Sequence, residues 1–457
     1  MGDRPHVLSS RCPLLGRRGM GFETCPSPGA RLHTHWYRPC GVAMKIAIIG
    51  TGIAGMTAAY MLSTEHEVTV FEANDYIGGH THTVSVATDH GSYAIDTGFI
   101  VFNDWTYPNF IKLLTRLRVS SQPSAMSFSV KCERTGLEYN GTSLNTLFAR
   151  RRNLLRPSFH RMLGDILRFN REAPTLLQNG GNNGTLGSYL AARRYSQEFV
   201  EQYLIPMGAS IWSADPRQMS GIPAQFFVQF FHNHGMLSVN ERPQWRVVAG
   251  GSQEYVKVLT HPYRARIRLR CPVQRVARHP THVSIKSPGQ EAERFDYAVI
   301  ATHSDQALLM LADPSVAERE ILSALPYQAN ETVLHTDDSL LPRTRRAWAS
   351  WNYHRLREPQ SQVAITYNMN MLQSLRAPET FCVTLNRTAL IDPAKVIQKM
   401  TYHHPVYTAV GVAAQKRHRE INGVNRTYFC GAYWGYGFHE DGVNSALAVC
   451  QYFGKSL

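Results

Sequence analysis

Three glycines in Gly50-Thr-Gly52-Ile-Ala-Gly55 and an acid at Glu72, 22 residues beyond the first, form the most chemically informative spacing in this chain. Gly50 permits a tight turn, Gly52 lets the backbone approach a pyrophosphate, and Gly55 lets a helix pack closely on a strand. The first helical residues, Ile53 and Ala54, turn backbone amides and the positive end of the helix dipole toward an anion. A carboxylate at Glu72 suits hydrogen bonds from ribose hydroxyls, and its charge disfavours a 2′-phosphate and hence NADP. A glycine triplet alone is a weak signal, so the context decides. Here Lys45-Ile-Ala-Ile-Ile49 reads as a strand buried on both faces, Met56–Leu62 as a helix, and Glu67-Val-Thr-Val-Phe71 as the next strand. That βαβ unit predicts a bound dinucleotide without separating FAD from NAD.

The segments that follow narrow the choice. Gly78-Gly79-His80 comes directly after the second strand, and Asp96-Thr-Gly98-Phe99 ends a short hairpin. Far downstream stand Val248-Ala-Gly250-Gly251, then Val273-Gln-Arg-Val276, and finally Phe429-Cys-Gly431-Ala-Tyr-Trp-Gly-Tyr-Gly-Phe-His-Glu-Asp-Gly442-Val443. In this order they resemble the motifs of the FAD-dependent amine oxidase and phytoene desaturase superfamily over residues 44–457. The resemblance implies non-covalent FAD, braced at its pyrophosphate by Gly79 and His80 and flanked by Gly98. It also implies that the backbone at Val273 pairs with the adenine, and that Gly431, Gly442 and Val443 close over the flavin. Two departures stand out. His80 occupies the place of an arginine, and a neutral imidazole is a weaker phosphate partner. Tyr433 occupies the place of an acid, so support for the ribityl chain or phosphates must come from elsewhere. More narrowly, the chain resembles bacterial FAD/NAD-binding oxidoreductases and the flavin-type domain fused to plant cyclopropane fatty acid synthases, which implies a lipid acyl substrate.

Tyr407, Tyr436 and His439 occupy stretches comparable to the family's aromatic cage, and His439 offers proton transfer near neutral pH where a tyrosine does not. His439 holding its own loop is the competing reading. Cys430 lies inside the motif strand and reads as core rather than as a flavin attachment point. His403 and His404 are adjacent, so a strand points them to opposite faces and no metal site is expected. Trp351-Asn-Tyr-His354 alternates as a strand whose aromatics serve a pocket or ordinary packing equally well. Eight cysteines without a CxxC pair read as reduced thiols, in keeping with a cytoplasmic setting.

These residues need positioning elements spread along the whole chain. Residues 44–140 supply the first FAD-binding part, 236–305 the second and 426–457 the closing motif. The stretch 141–235, with apolar Phe159, Met162, Leu163 and Ile166 at helical spacing, is a mainly helical insertion. Residues 306–425 are mixed. The expected fold is therefore α/β, a Rossmann-like FAD-binding lobe split by insertions that form a mixed α+β substrate lobe. Residues 1–43 hold six Arg, two acids and three Cys without periodicity; they read as a disordered or mis-assigned extension, with Met44 as the original start and a transit peptide as the alternative.

A length of 457 residues with 43% hydrophobic and 18% charged side chains excludes a disordered chain, and no apolar run is long enough to span a membrane. The net charge of +14 favours anionic partners in general. Its densest basic stretch, Arg150–Arg171, combines seven Arg with an apolar helical stripe; it is either a solvated face or a contact with anionic lipid at the membrane periphery. Aromatics are not interleaved with these charges, so nucleic acid is not expected. The function that follows is an FAD-dependent oxidoreductase taking hydride from a hydrophobic substrate, an acyl chain above all, with O₂ or a quinone as the final acceptor. Alternatives are an amine oxidase, an isomerase without net redox change, and a flavoprotein scaffold for a lipid methyltransferase.

Overall fold

The nucleotide-binding sheet follows from its aliphatic runs. In the computed structural model, which describes residues 43–178, 184–358 and 361–457, five parallel strands lie side by side. They are β1 (Lys45–Ile49), β2 (Glu67–Phe71), β3 (Ile267–Arg268), β4 (Tyr297–Ile300) and β5 (Thr427–Phe429), in the spatial order β3-β2-β1-β4-β5. The strand order reverses between β1 and β4, the place where open α/β sheets receive ligands. Helix α1 (Ile53–Leu62) crosses over between β1 and β2, and helix α2 (His439–Gln451) packs beside α1 on the same face. Ile46, Ile48, Ala298, Val299 and Ile300 are fully buried, as expected of strands covered on both sides.

The apolar run Arg294–Ala301 is divided between two strands. Glu293–Phe295 belongs to a three-stranded antiparallel meander and β4 to the parallel sheet. Asp296 makes the change of direction, its carboxylate accepting from the Lys45 amide at 2.9 Å. The Val273–Val276 motif runs into the strand Arg275–Arg278, and Val273 lies in the segment leading into it.

The described residues between 144 and 233 are helical apart from short turns, and the helix Pro157–Glu172 buries Phe159, Met162 and Phe169, with Leu163 and Ile166 half-buried on the same side. The second large sheet has seven strands. From edge to edge they are Val396–Pro405, Tyr327–His335, Cys382–Leu385, Ile365–Asn368, Trp351–Arg355, Phe128–Cys132 and Glu138–Asn140. The last two come from the 44–140 segment; Phe128–Cys132 joins through parallel pairing with Trp351–Arg355, so this sheet begins before residue 140. Nearly all of the reading of residues 1–43 lies outside the described residues. No helix among the described residues is long and apolar enough to cross a membrane.

Candidate functional site

The turn after β1 shows which glycines the protein itself requires. A side chain at Gly55 would collide with the Gly50 carbonyl oxygen, and one at Gly50 would sit 2.9 Å from the Ala301 carbonyl in a backbone at φ +101°. Both therefore serve the close packing of β1, α1 and β4. Gly52 is different. A Cβ built there meets no protein atom within 4 Å, and no side chain caps the helix that starts beside it. The amide end of α1 thus faces open space that a ligand phosphate fits. Gly79 comes against this spot, its Cβ position 3.3 Å from the Gly52 Cα.

Glu72 is buried at the end of β2 and already accepts three hydrogen bonds. The Thr51 amide (2.9 Å) and Thr51 hydroxyl reach Oε2, and the Asn74 amide (2.9 Å) reaches Oε1. A carboxylate has about four acceptor positions, so room for a ribose hydroxyl remains on Oε1. Thr51 was not foreseen in this role; its hydroxyl also accepts from the Gly78 amide at 3.1 Å and so ties the glycine turn to the following loop. Val273 is brought to the same neighbourhood, because the Cys271 amide donates to the Glu72 carbonyl at 2.8 Å.

Distant turns meet at the start of α2. A side chain on Gly442 would lie 2.6 Å from Ile53 Cγ2 and 3.7 Å from the Ala54 nitrogen, so the two helix N-termini adjoin. Val443 is wholly buried with Ile53 and Met56. The Gly431 amide donates to the Ser445 hydroxyl at 2.9 Å. The Asp441 carboxylate accepts from the amides of Tyr436 (3.0 Å) and Phe438 (2.9 Å), and burial pushes its pKa up to about 7. Tyr433 lays its ring against Gly431, with its hydroxyl buried and without a protein partner. Gly98 lies against the His80 carbonyl, which accepts from the Phe99 amide at 2.7 Å. Asp96 has a different job from its neighbour Gly98. It accepts from the Ser252 hydroxyl (2.7 Å) and the Thr83 hydroxyl (2.6 Å), fastening the Gly250-Gly251 turn to the hairpin, and burial raises its pKa to about 6.

His80 does not stand alone. Its ring centroid lies 5.0 Å from Tyr402, 5.4 Å from His404 and 5.9 Å from His303, a residue just past β4. Burial, with His303 second, lowers His80 to about 3; burial likewise lowers His303 to about 4 and His404 to about 3. These imidazoles are neutral at pH 7, so His80 lacks the standing charge of an arginine. His403 points toward His303 and His404 toward His80 and Asn330, in line with their alternation in the strand.

The three residues proposed for catalysis fall in two places. Tyr407 stacks on Phe226 at 5.0 Å, Tyr436 meets the same ring at 4.6 Å, and Trp212 donates to the Tyr436 carbonyl at 3.2 Å. Phe230 completes this wall, 4.9 Å from Trp212. The Tyr407 hydroxyl is buried and has no protein partner. His439 lies elsewhere, stacked on Phe99 at 3.4 Å with Nε2 3.0 Å from both the Thr81 and the Tyr255 hydroxyls. Burial holds its pKa well below the ordinary histidine value. Trp212, Phe226 and Phe230 were not singled out from sequence; their helical spacing signalled core alone.

Known proteins resemble this chain in sequence and in fold. A family model for flavin containing amine oxidoreductases matches residues 53–340. A 1-hydroxycarotenoid 3,4-desaturase of Flavobacterium sp. is 42% identical over 74 residues, 16% of this chain and 14% of that one. An L-amino-acid oxidase of Siganus canaliculatus is 22% identical over 64% of this chain and 57% of its own length. The chain thus spans less than two thirds of these relatives. The solved structure of a CLA-producing fatty acid isomerase from P. acnes superposes with a TM-score of 0.65 at 15% identity, covering 90% of this chain and 98% of that one, which shows a shared fold. With an open phosphate position at Gly52, a ribose acceptor at Glu72 and two helix N-termini adjoining between them, the chain belongs to the flavin containing amine oxidoreductase family and its cofactor is FAD.

Proposed function

We propose that this protein is an FAD-dependent oxidoreductase, an oxidase or desaturase, that takes hydride from a hydrophobic substrate, an acyl chain above all. FAD, when bound, supplies the hydride acceptor. The residues proposed to hold it are Gly50, Gly52, Ile53, Ala54, Gly55, Glu72, Gly79, His80, Gly98, Val273, Gly431, Gly442 and Val443. The observation that carries the substrate class is the wall of Trp212, Phe226, Phe230, Tyr407 and Tyr436, whose five side chains are aromatic and uncharged and which buries the Tyr407 hydroxyl without a protein partner. Such a surface favours a chain with nothing to solvate, and Tyr407 orients whatever polar atom that chain carries. The kinship with the flavin domain of cyclopropane fatty acid synthases and a cytoplasmic setting belong to the same proposal, as does a substrate lobe drawn from residues 141–235 and 306–425. Cofactor attachment is non-covalent in this reading: Cys430 is fully buried and burial raises its thiol pKa.

A second reading, amine oxidation, is favoured by the two tyrosines meeting at one phenylalanine. Anaerobic mixing with a panel of phospholipids, polyenes and amines distinguishes the two. Bleaching of the flavin band by saturated or methylated acyl lipids is the expected result; bleaching by amines alone would transfer the assignment to the second reading. Flavin that no member bleaches, in protein that co-purifies with a lipid methyltransferase, would favour a scaffold. Product of unchanged mass would indicate an isomerase.

A further inference from the structure

The basic stretch foreseen at Arg150–Arg171 divides into two parts. Arg161, Arg168 and Arg171 each face an acid, Glu198 at 3.7 Å, Asp165 at 3.1 Å and Glu172 at 3.7 Å. The part before them is unlike this. From Thr142 to Gly164 the chain contains no acidic residue. Arg150 and Arg152 both donate to the Gly136 carbonyl, and Arg156 donates to the adjoining Thr135 carbonyl at 3.1 Å. Three guanidiniums are thereby gathered on one turn with no carboxylate paired to them among the described residues. Their mutual repulsion, after burial, lowers the Arg156 pKa. An arriving anion relieves that repulsion.

The same collar exposes its largest apolar side chains. Leu155 is 86% exposed, Leu144 76% and Leu154 48%, while the polar Asn153 between the arginines and leucines is fully buried and donates to the Glu138 carbonyl at 3.0 Å. Buried polar anchor and solvent-facing leucine are the reverse of the usual pattern for a solvated turn, and the anchor holds the leucines outward. Exposed leucines ringed by arginines match the boundary between phosphate headgroups and acyl chains.

From this geometry we infer that the collar of Leu144, Leu154, Leu155, Arg150, Arg152 and Arg156 docks on an anionic lipid bilayer. The guanidiniums take lipid phosphates and the leucines enter the headgroup region. Docking is independent of the cofactor and of the reaction proposed above.

Flotation of the full chain tests this with vesicles of phosphatidylcholine alone and with about 30% phosphatidylglycerol, at low and high salt. Binding is expected only to the anionic vesicles and only at low salt. Leu154→Ser with Leu155→Ser should weaken it about tenfold or more, since each leucine withdrawn from water contributes one to two factors of ten when fully buried. Arg152→Gln with Arg156→Gln should weaken it about fivefold for each charge removed near the surface. Flavin absorbance reports that both variants remain folded. Equal binding to neutral vesicles would overturn the inference, as would anionic binding unchanged in the leucine variant. So would heparin binding stronger than vesicle binding and indifferent to the leucines, which would identify a soluble polyanion as the occupant.

Discussion

The two large sheets use opposite means to fill their interiors. Each face of the parallel sheet is aliphatic: Ala47, Ile49 and Ile300 pack on one side, Ile46, Ile48 and Val299 on the other. The seven-stranded sheet is apolar on one face only, through Leu334, Val383, Ile365, Tyr353 and Val130. Its other face carries buried polar side chains joined across four strands. His335 Nε2 lies 2.7 Å from the Thr384 hydroxyl, which lies 2.8 Å from Thr366, which lies 3.0 Å from His354 Nε2. Ser129, on a fifth strand of the same face, donates to Asn352 at 2.8 Å. Burial of hydrocarbon is non-directional and tolerates small changes of shape, whereas a hydrogen-bonded row fails at whichever member loses its partner. The first sheet is insured by redundancy; the second depends on complete pairing.

Five experiments bear on that contrast. The largest effect concerns the ligand side of the parallel sheet. Gly52→Leu places a side chain in space that no protein atom occupies, so FAD content should fall about tenfold or more while the circular dichroism of the protein is retained. A fully yellow variant would remove the basis for the cofactor site. Next comes the polar row. Thr384→Val keeps the volume but leaves His335 and Thr366 without their shared partner, an expected loss of about 2–4 kcal/mol in denaturant unfolding. A cost under about 1 kcal/mol would mean that the row is not the directional device described.

Acid pH should act on the same face. Burial depresses His335 to about 4 and His354 to about 3, whereas the unfolded chain takes up protons below the ordinary histidine value of 6.5. The folded-state values are lowered, so this stability is complete above pH 6.5 and is lost as pH falls toward 4. Each histidine should forfeit about 2 kcal/mol between pH 7 and pH 5, measured by urea unfolding at the two values. Hydrogen exchange should show the seven-stranded sheet opening before the parallel one; simultaneous opening would erase the distinction. The smallest effect is expected for Ile48→Val, about 1 kcal/mol, because its neighbours in the aliphatic layer remain.

The same contrast explains what could be read in advance. Continuous runs such as Lys45–Ile49 announce strands covered on both faces, and Gly50, Gly55 and Glu72 lie within one short unit whose geometry is local. Strands such as Cys-Val-Thr-Leu385 and Ile-Thr-Tyr-Asn368 alternate in the manner of half-solvated strands, yet all eight of these residues are buried. The cover over the polar face comes from loops distant in sequence, including Leu340 and Ile391 packed on Val333, and no period encodes it. His439 illustrates the same limit. Its distance from Tyr436 along the chain suggested a common pocket, but α2 begins at His439 and carries its ring to Thr81, Tyr255 and Phe99. The meeting of His80, His303 and His404 depends on three separate elements and had no local signature.

The bond between Thr81 and His439 spans 358 positions of the chain, and β5 and α2 are made after the other four strands of the parallel sheet. A ribosome therefore delivers the glycine turn long before either the parallel sheet or the second helix terminus can be completed. Contacts of such long range slow folding, because a large loop must close before they form. Until β5 and α2 emerge, the nascent polypeptide has a finished glycine turn but nothing to oppose it, so cofactor capture waits for them.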